Sequence, residues 1–381
     1  MPFFETYRTT ATVYMPPLLL PNESAVRRLM QAGVDEGVFP GSVLLVARGE
    51  DVLLHDAWGV ADCDAQRPVR PDTAFDLASL TKPLATAVAV MRLVRAGRLG
   101  LDAPLARLLP IMGPTDKAEV TVRQLLSHSS GWPAWQPYFE RLLPQPPEER
   151  RRFLAQYLAD EPLVARPGET VLYSDIDFLA LGLVVEACTG ERLDRFVRSE
   201  IYQPLGIREL FFNPLDEPPQ AREYAATESC PWRGRVLCGE VHDDNAHALN
   251  GVAGHAGLFG TVQGVFDLLR VLLRGYEGDI RSSVFSAELV RAFWSPSAGT
   301  DWALGFDRPS AQASSSGRYF SANTIGHLGF TGTSFWLDID RRLCIILLTN
   351  RVHPSRDNVK IKSFRPRIHD EIMAGLVKRV V

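Results

Sequence analysis

The chain carries its β signals at its two ends and helical patterning between them, and few folds accommodate that arrangement. Near the N-terminus, Pro40-Gly41 opens an apolar run from Ser42 to Arg48, and a turn at Gly49-Glu50-Asp51 leads to a second, Val52 to Trp58. Short β-rich runs joined by turn residues read as a hairpin. Ser334 to Ile339 and Leu343 to Thr349 flank Asp340-Arg341-Arg342 and read as another hairpin near the C-terminus. From Ser79 to about residue 280 the spacing is mostly helical. Ser79 begins a helix running to about Ala96 and ended by Gly97. Val120 to Ser127 and Phe178 to Cys188 follow, the latter closed by Thr189-Gly190. Residues 23–33 form a further predicted helix, with Asn22 as its N-cap. The implied fold class is α+β: an antiparallel β-sheet built from N- and C-terminal segments, flanked by helices, with a mostly helical lobe inserted. The expected organisation is an N-terminal extension over residues 1–22 and one domain over 23–381. Its sheet lobe would cover 23–78 and 295–381, and its helical lobe 79–294.

A chain of 381 residues, 46% hydrophobic and 23% charged, is long enough to bury a large core. The net charge of −4 offers no basic stripe to phosphates, so no nucleic-acid partner is expected. The longest apolar stretches, such as Leu343 to Thr349, are too short to span a bilayer. Met15 to Leu20 is broken by Pro16 and Pro17 and lacks the basic start of a secretory signal. Five scattered cysteines do not form a disulfide framework. The default expectation is a cytoplasmic, reduced protein.

Ser79 sits where sheet and helical lobe would meet, three residues before Lys82 and followed by an apolar helical run. A serine hydroxyl needs a base within hydrogen-bond reach to act as a nucleophile. Helical i,i+3 spacing puts Lys82 on the same face as Ser79. A lysine held near a helix N-terminus and out of water loses part of its preference for charge. Two patterns follow in order: Tyr173-Ser174-Asp175, after Arg166-Pro167-Gly168-Glu169, and His327-Leu328-Gly329-Phe330-Thr331-Gly332.

With these motifs the chain resembles the serine β-lactamase and penicillin-binding protein family, over roughly residues 23 to 355. It is most similar to the class C β-lactamase and esterase branch, with its Y-x-N second motif and K-T-G or H-x-G third. The stretch Val120 to Gly131, which includes Ser127-His128-Ser129-Ser130, is also similar to that branch. The resemblance implies a β-lactamase/transpeptidase-like fold and an acyl-enzyme on Ser79, with Lys82 as base, or holding the charge state that lets another group act as base, and Tyr173 as second proton carrier. An adjacent ammonium would lower the phenol toward phenolate, and the three groups would titrate as one coupled set. The N–H groups of Ser79 and Phe330 would form the oxyanion hole, beside Gly329.

Two positions depart from the family pattern. Asp175 replaces an asparagine, and an ionised carboxylate pairs with Lys82 but donates no hydrogen bond; it also stands where a helix cap would. His327 replaces a lysine and carries only part of a charge near pH 7. Both changes favour an esterase-like or broad acyl hydrolase over a good β-lactamase, while Arg351 offers a positive charge after the last strand. His128 reads as a turn histidine bonding the backbone. Glu240 to His247 and Gly251 to Gly257, with Cys230 and Cys238, contain metal-ligand types in no common zinc spacing. No metal is expected there; His255 and its glycines read as a cleft-lining loop that approaches the substrate closely. No cofactor is expected. The expected function is a serine hydrolase of small-molecule ester, β-lactam or peptide substrates. The alternatives are a D-alanyl-D-alanine carboxypeptidase, and a penicillin-recognising module that does not turn over.

Overall fold

A computed structural model of the chain describes residues 20–279, 284–297, 300 and 302–377. Residues 1–19 of the expected N-terminal extension lie outside them. The main sheet has six antiparallel strands in the spatial order 67–68, 51–62, 41–48, 343–349, 334–338 and 324–328. Gly41–Arg48 is the seam. It pairs with Asp51–Asp62 on one side and Leu343–Thr349 on the other, with Val43 opposite Leu348 and Val46 opposite Ile345. The two hairpins of the sequence therefore join into one sheet.

Both faces of this sheet are covered, which explains why its central strands read as continuous apolar runs rather than alternating ones. Leu44, Val46, Ile345 and Leu347 face helices 23–35 and 361–377. Val43, Leu45, Ile346 and Leu348 face the larger core, which includes helix 262–277. Asn22 occupies the N-cap position of helix 23–35, but its side chain makes no cap hydrogen bond. Its amide Nδ2 instead donates to the Glu371 carbonyl (2.5 Å) and Oε1 (3.0 Å), tying the first helix to the last.

The region between the hairpins is helical but also holds strands that the apolar spacing did not show. A three-stranded sheet pairs 75–76, 258–260 and 210–212, and 226–230 pairs with 235–238. These strands are two to five residues long, too short for a period-2 pattern to emerge. The three-stranded sheet matters because strand 75–76 delivers the chain to Ser79.

Candidate active site

The chain turns sharply before Ser79. Ala78 has φ +48°, a left-handed conformation uncommon for a residue with a Cβ. Its N–H donates to Asp76 Oδ1 (2.8 Å), and its carbonyl accepts from Thr81 Oγ1 (2.6 Å). Residues 78–80 form a 3₁₀ turn, Lys82–Ala87 a wide π-type turn, and only Val88–Arg95 is α-helical. The regular helix expected from Ser79 is thus three kinds of turn in succession, and π-type turns are frequent at functional sites.

Lys82 is fully buried. Its Nζ lies 3.0 Å from Ser79 Oγ, 2.7 Å from Tyr173 Oη, 2.6 Å from Asp175 Oδ1 and 3.5 Å from the His255 carbonyl. Burial opposes the ammonium, but the carboxylate of Asp175 and the Tyr173 hydroxyl outweigh it and raise the lysine above its ordinary value. Burial likewise raises the Tyr173 phenol, and its hydrogen bonds with Lys82 and Ser79 offset this only in part. Both sequence-based expectations are corrected: Lys82 rests as an ammonium and Tyr173 as a neutral phenol. Asp175 does not cap helix 175–189. Ser174 does, its Oγ accepting from Ile176 and Asp177 N–H, which frees Asp175 to face Lys82.

The third motif is bound tightly to the nucleophile turn. Thr331 Oγ1 donates to the Asp76 carbonyl (2.8 Å) and Thr333 Oγ1 to the Leu77 carbonyl (3.1 Å). A Cβ on Gly329 would lie 2.0 Å from Thr333 Oγ1 and 2.7 Å from the Leu77 carbonyl, so only glycine fits there. Neither the Ser79 nor the Phe330 N–H donates to a backbone carbonyl among the described residues. His327 is buried, and burial first, then the Lys82 ammonium, push it down to about 3. The partial charge expected of it near pH 7 is absent. Arg351 does not project freely. Its Nε and Nη2 donate to the Phe330 carbonyl, and its Nη1 to the carbonyls of Arg356 (3.0 Å) and Asn358 (2.7 Å).

Ser79, Tyr173, His327, Gly329, Phe330 and Arg351 line one cavity of about 450 Å³. Trp302, Lys362 and Arg365 also line it, and sequence reasoning missed all three. Trp302 packs on Tyr173 (ring centroids 5.4 Å apart) but stands alone in a segment without periodicity. Lys362 and Arg365 sit at the start of the last helix, beyond the motifs. The lining carries four cations, Arg351, Arg356, Lys362 and Arg365, against one carboxylate, Asp307. Arg356 is paired with Glu228 (2.8 Å). Arg365 is buried, donates to the Gly329 (3.3 Å) and Thr333 (3.0 Å) carbonyls, and is lowered to about 9 by burial and by Arg351. Neither Arg351 nor Arg365 has a carboxylate partner among the described residues.

The 240–257 loop does not line that cavity. Its glycines approach other parts of the chain instead of a substrate: a Cβ on Gly254 would lie 1.9 Å from the Phe178 carbonyl, one on Gly251 2.8 Å from the Asn213 carbonyl and one on Gly257 2.3 Å from the Gly251 carbonyl. The loop passes beneath Lys82, where His255 contributes its carbonyl. Each histidine of the segment is paired with a carboxylate: His242 with Glu228 (3.1 Å), His247 with Glu240 (3.1 Å) and His255 with Asp243 (2.8 Å). Among the described residues no group of three or more His, Cys, Asp or Glu could hold a metal ion. No helix among them is long and apolar enough to cross a membrane.

Comparison with known proteins agrees with this arrangement. The β-lactamase family model matches residues 26–365. A putative D-alanyl-D-alanine carboxypeptidase of Escherichia coli (strain K12) is 32% identical over 359 residues, covering 86% of this chain and 81% of the relative. An N-acetylmuramyl-L-alanine amidase of Bacillus subtilis (strain 168) is 33% identical, covering 92% and 87%. In fold, the chain superimposes on EstCE1, a hydrolase with promiscuous acyltransferase activity, with a TM-score of 0.72. That match is 23% identical and covers 91% of this chain and 98% of EstCE1. By family model, relatives and fold together, the chain belongs to the β-lactamase family of serine hydrolases.

Proposed function

We propose that Ser79 is acylated by substrates that carry a carboxylate beside the scissile amide or ester, a peptide ending in a D-amino acid being the type. The observation that carries this reading is the lining of the Ser79 cavity, where four cations stand against one carboxylate, Asp307, and two buried guanidiniums, Arg351 and Arg365, have no carboxylate partner among the described residues. An uncompensated buried charge is costly, and an anionic substrate supplies its counterion. Asp175 and the partial charge of His327 tilted the sequence toward an esterase-like or broad acyl hydrolase; the cations of the 351–365 wall weigh against that tilt. The names of the carboxypeptidase and amidase relatives point the same way. Treating residues 23–381 as one domain, with the site at the seam of a sheet lobe and a helical lobe, is part of the proposal.

In the proposed reaction Ser79 Oγ bonds to the carbonyl carbon. Lys82 takes the serine proton while passing one of its own to Asp175, 2.6 Å away. The oxyanion is received by the Ser79 and Phe330 N–H groups, which have no backbone acceptor among the described residues. Tyr173 protonates the departing amine or alcohol and regains its proton from Lys82, which recovers one from Asp175. The serine proton has then left with the leaving group, and water releases the acyl chain by the reverse relay.

Intact-mass measurement after exposure to a fluorophosphonate tests the nucleophile. One adduct on the wild type and none on Ser79→Ala is expected. No adduct on either at any pH from roughly 6 to 9, where such groups titrate, would refute the enzyme reading and favour a binding module.

A further inference from the structure

The sequence marked His128 as a turn histidine bonding the backbone. It does bond the backbone, at two places that bracket Tyr173. The Leu172 N–H donates to the His128 carbonyl (2.9 Å), and the Ser174 N–H donates to His128 Nδ1 (3.2 Å). Both backbone neighbours of the tyrosine are therefore held by one residue 45 positions earlier in the chain. The imidazole also packs against the Tyr173 ring, centroids 4.8 Å apart, and against Trp302 at 4.8 Å. His128 reaches this position with φ +58°, a left-handed backbone that a residue with a Cβ adopts only when its surroundings enforce it.

Behind the imidazole lies a second buried layer. Asp177 Oδ2 is 3.2 Å from His128 Nδ1, and its Oδ1 accepts from Ser130 Oγ. His128 and Asp177 are both buried. Nδ1 accepts from the Ser174 N–H, so the ring proton belongs on Nε2, and the one lone pair of Nδ1 is shared between the Ser174 N–H and Asp177 Oδ2. An ionised Asp177 would then set a carboxylate oxygen against a nitrogen lone pair, and a protonated Asp177 would not. Burial drives both groups to that neutral state: it lowers His128 well below its ordinary value, helped by the charge of Lys82 and by His327, and raises Asp177 well above its own. The groups facing His128 are thus Asp177, Lys82, Tyr173 and His327. Lys82 is the permanent charge among them, and it acts at a distance.

We propose that His128 is a positioning residue for Tyr173, holding the phenol at Lys82 by gripping the backbone on both sides of it, with Ser130 and Asp177 fixing the imidazole. The proposal rests on the acyl-enzyme reading for its kinetic consequence but not for its structural one. A misplacement of about 1 Å at a reacting group can cost about 100-fold in rate. His128→Ala is expected to lower kcat for a p-nitrophenyl ester by about 10- to 100-fold with little change in KM. His128→Asn is expected to recover most of it, because asparagine tolerates the left-handed backbone and offers an oxygen to the Ser174 N–H.

The deciding experiment is a double-mutant cycle with Tyr173→Phe. If His128 acts through the phenol, His128→Ala costs less than about 2-fold further in the Tyr173→Phe background. Multiplicative losses would overturn the proposal, because they describe a histidine that supports the fold independently of Tyr173. A readout without turnover accompanies it: ¹⁹F NMR of fluorotyrosine-labelled protein, the Tyr173 signal identified by its loss in Tyr173→Phe. That signal should shift or broaden in His128→Ala and stay near its wild-type position in His128→Asn. An unchanged signal in His128→Ala would refute the positioning role even if the wild type hydrolyses nothing. Should His128→Ala fail to fold, Ser130→Ala carries the same test: a shifted Tyr173 signal supports the role and an unmoved one refutes it.

Discussion

The two ends of the Ser79 cavity handle charge in opposite ways. At the Lys82 end a buried ammonium meets a carboxylate at 2.6 Å and is surrounded by hydroxyls. At the 351–365 end two buried guanidiniums donate to backbone carbonyls, Arg351 also lying over the Phe330 ring, and neither has a carboxylate partner among the described residues. A matched set needs no ligand to be stable and can move protons without changing its net charge. An unmatched set gains from any anion that reaches it. On the proposed reading the first end does the chemistry and the second recognises the substrate, and the contrast can be broken at either.

The largest effect is expected at the matched end. Ser79→Ala should lower kcat by about four orders of magnitude or more, the scale seen when a catalytic nucleophile is removed. Asp175→Asn should follow, with kcat/KM at pH 7 down by about 100-fold, within the range of general acid–base catalysis. Its pH profile carries the sign. Without the carboxylate the proton must stay on Lys82, so the lysine must first be deprotonated, and the variant's rate should climb with pH where the wild type is level. A profile parallel to the wild type would remove Asp175 from the relay.

At the unmatched end, Lys362→Met should raise KM for a substrate with a free carboxylate by about 10-fold. A charge-assisted hydrogen bond contributes about 1.5–3 kcal/mol, and each 1.4 kcal/mol is tenfold. Hydrolysis of a neutral p-nitrophenyl ester should change by less than about 2-fold. Equal losses on both substrates would show that the 351–365 wall shapes the cavity and does not select charge.

The smallest effect concerns pH. His327 and His369 are held near about 3 and about 4 in the folded protein, burial being the first cause for each. The unfolded chain takes up these protons near pH 6.5. Their contribution to stability is therefore complete above pH 6.5 and declines as pH falls toward 4 and then 3. The Tm should drop across that window, less steeply in His369→Gln. For the same reason KM for an anionic substrate should show no step near pH 6.5. Such a step would restore the imidazolium role that the sequence offered His327.

How much of this was legible in the sequence follows from the range of each signal. The hairpins at 41–62 and 334–349 were visible because they are long apolar runs bounded by turns, and their union into one sheet followed from their places at the chain ends. The three motifs were visible because each is local. The protonation states were not, since they depend on Lys82 and Asp175 meeting across 93 positions at full burial, where tertiary contact overrides the ordinary values. The cap at Ser174 in place of Asp175 turned on one residue, within the usual error of an element boundary. Lys362 and Arg365 escaped notice because nothing in helix 361–377 marks one charged face as the wall of a distant site. His128 was read as bonding the backbone, which is what it does; which backbone it bonds is a fact of the fold alone.

The central claim is that the unpaired cations of the cavity select a carboxylate next to the bond that Ser79 cleaves. Its most direct test is kcat/KM for one peptide ending in D-alanyl-D-alanine, compared with the same peptide as its C-terminal amide. The account predicts a preference of about 10-fold or more for the free carboxylate, reduced in Lys362→Met. Equal rates for acid and amide in the wild type, with Ser79 acylated by both, would contradict it.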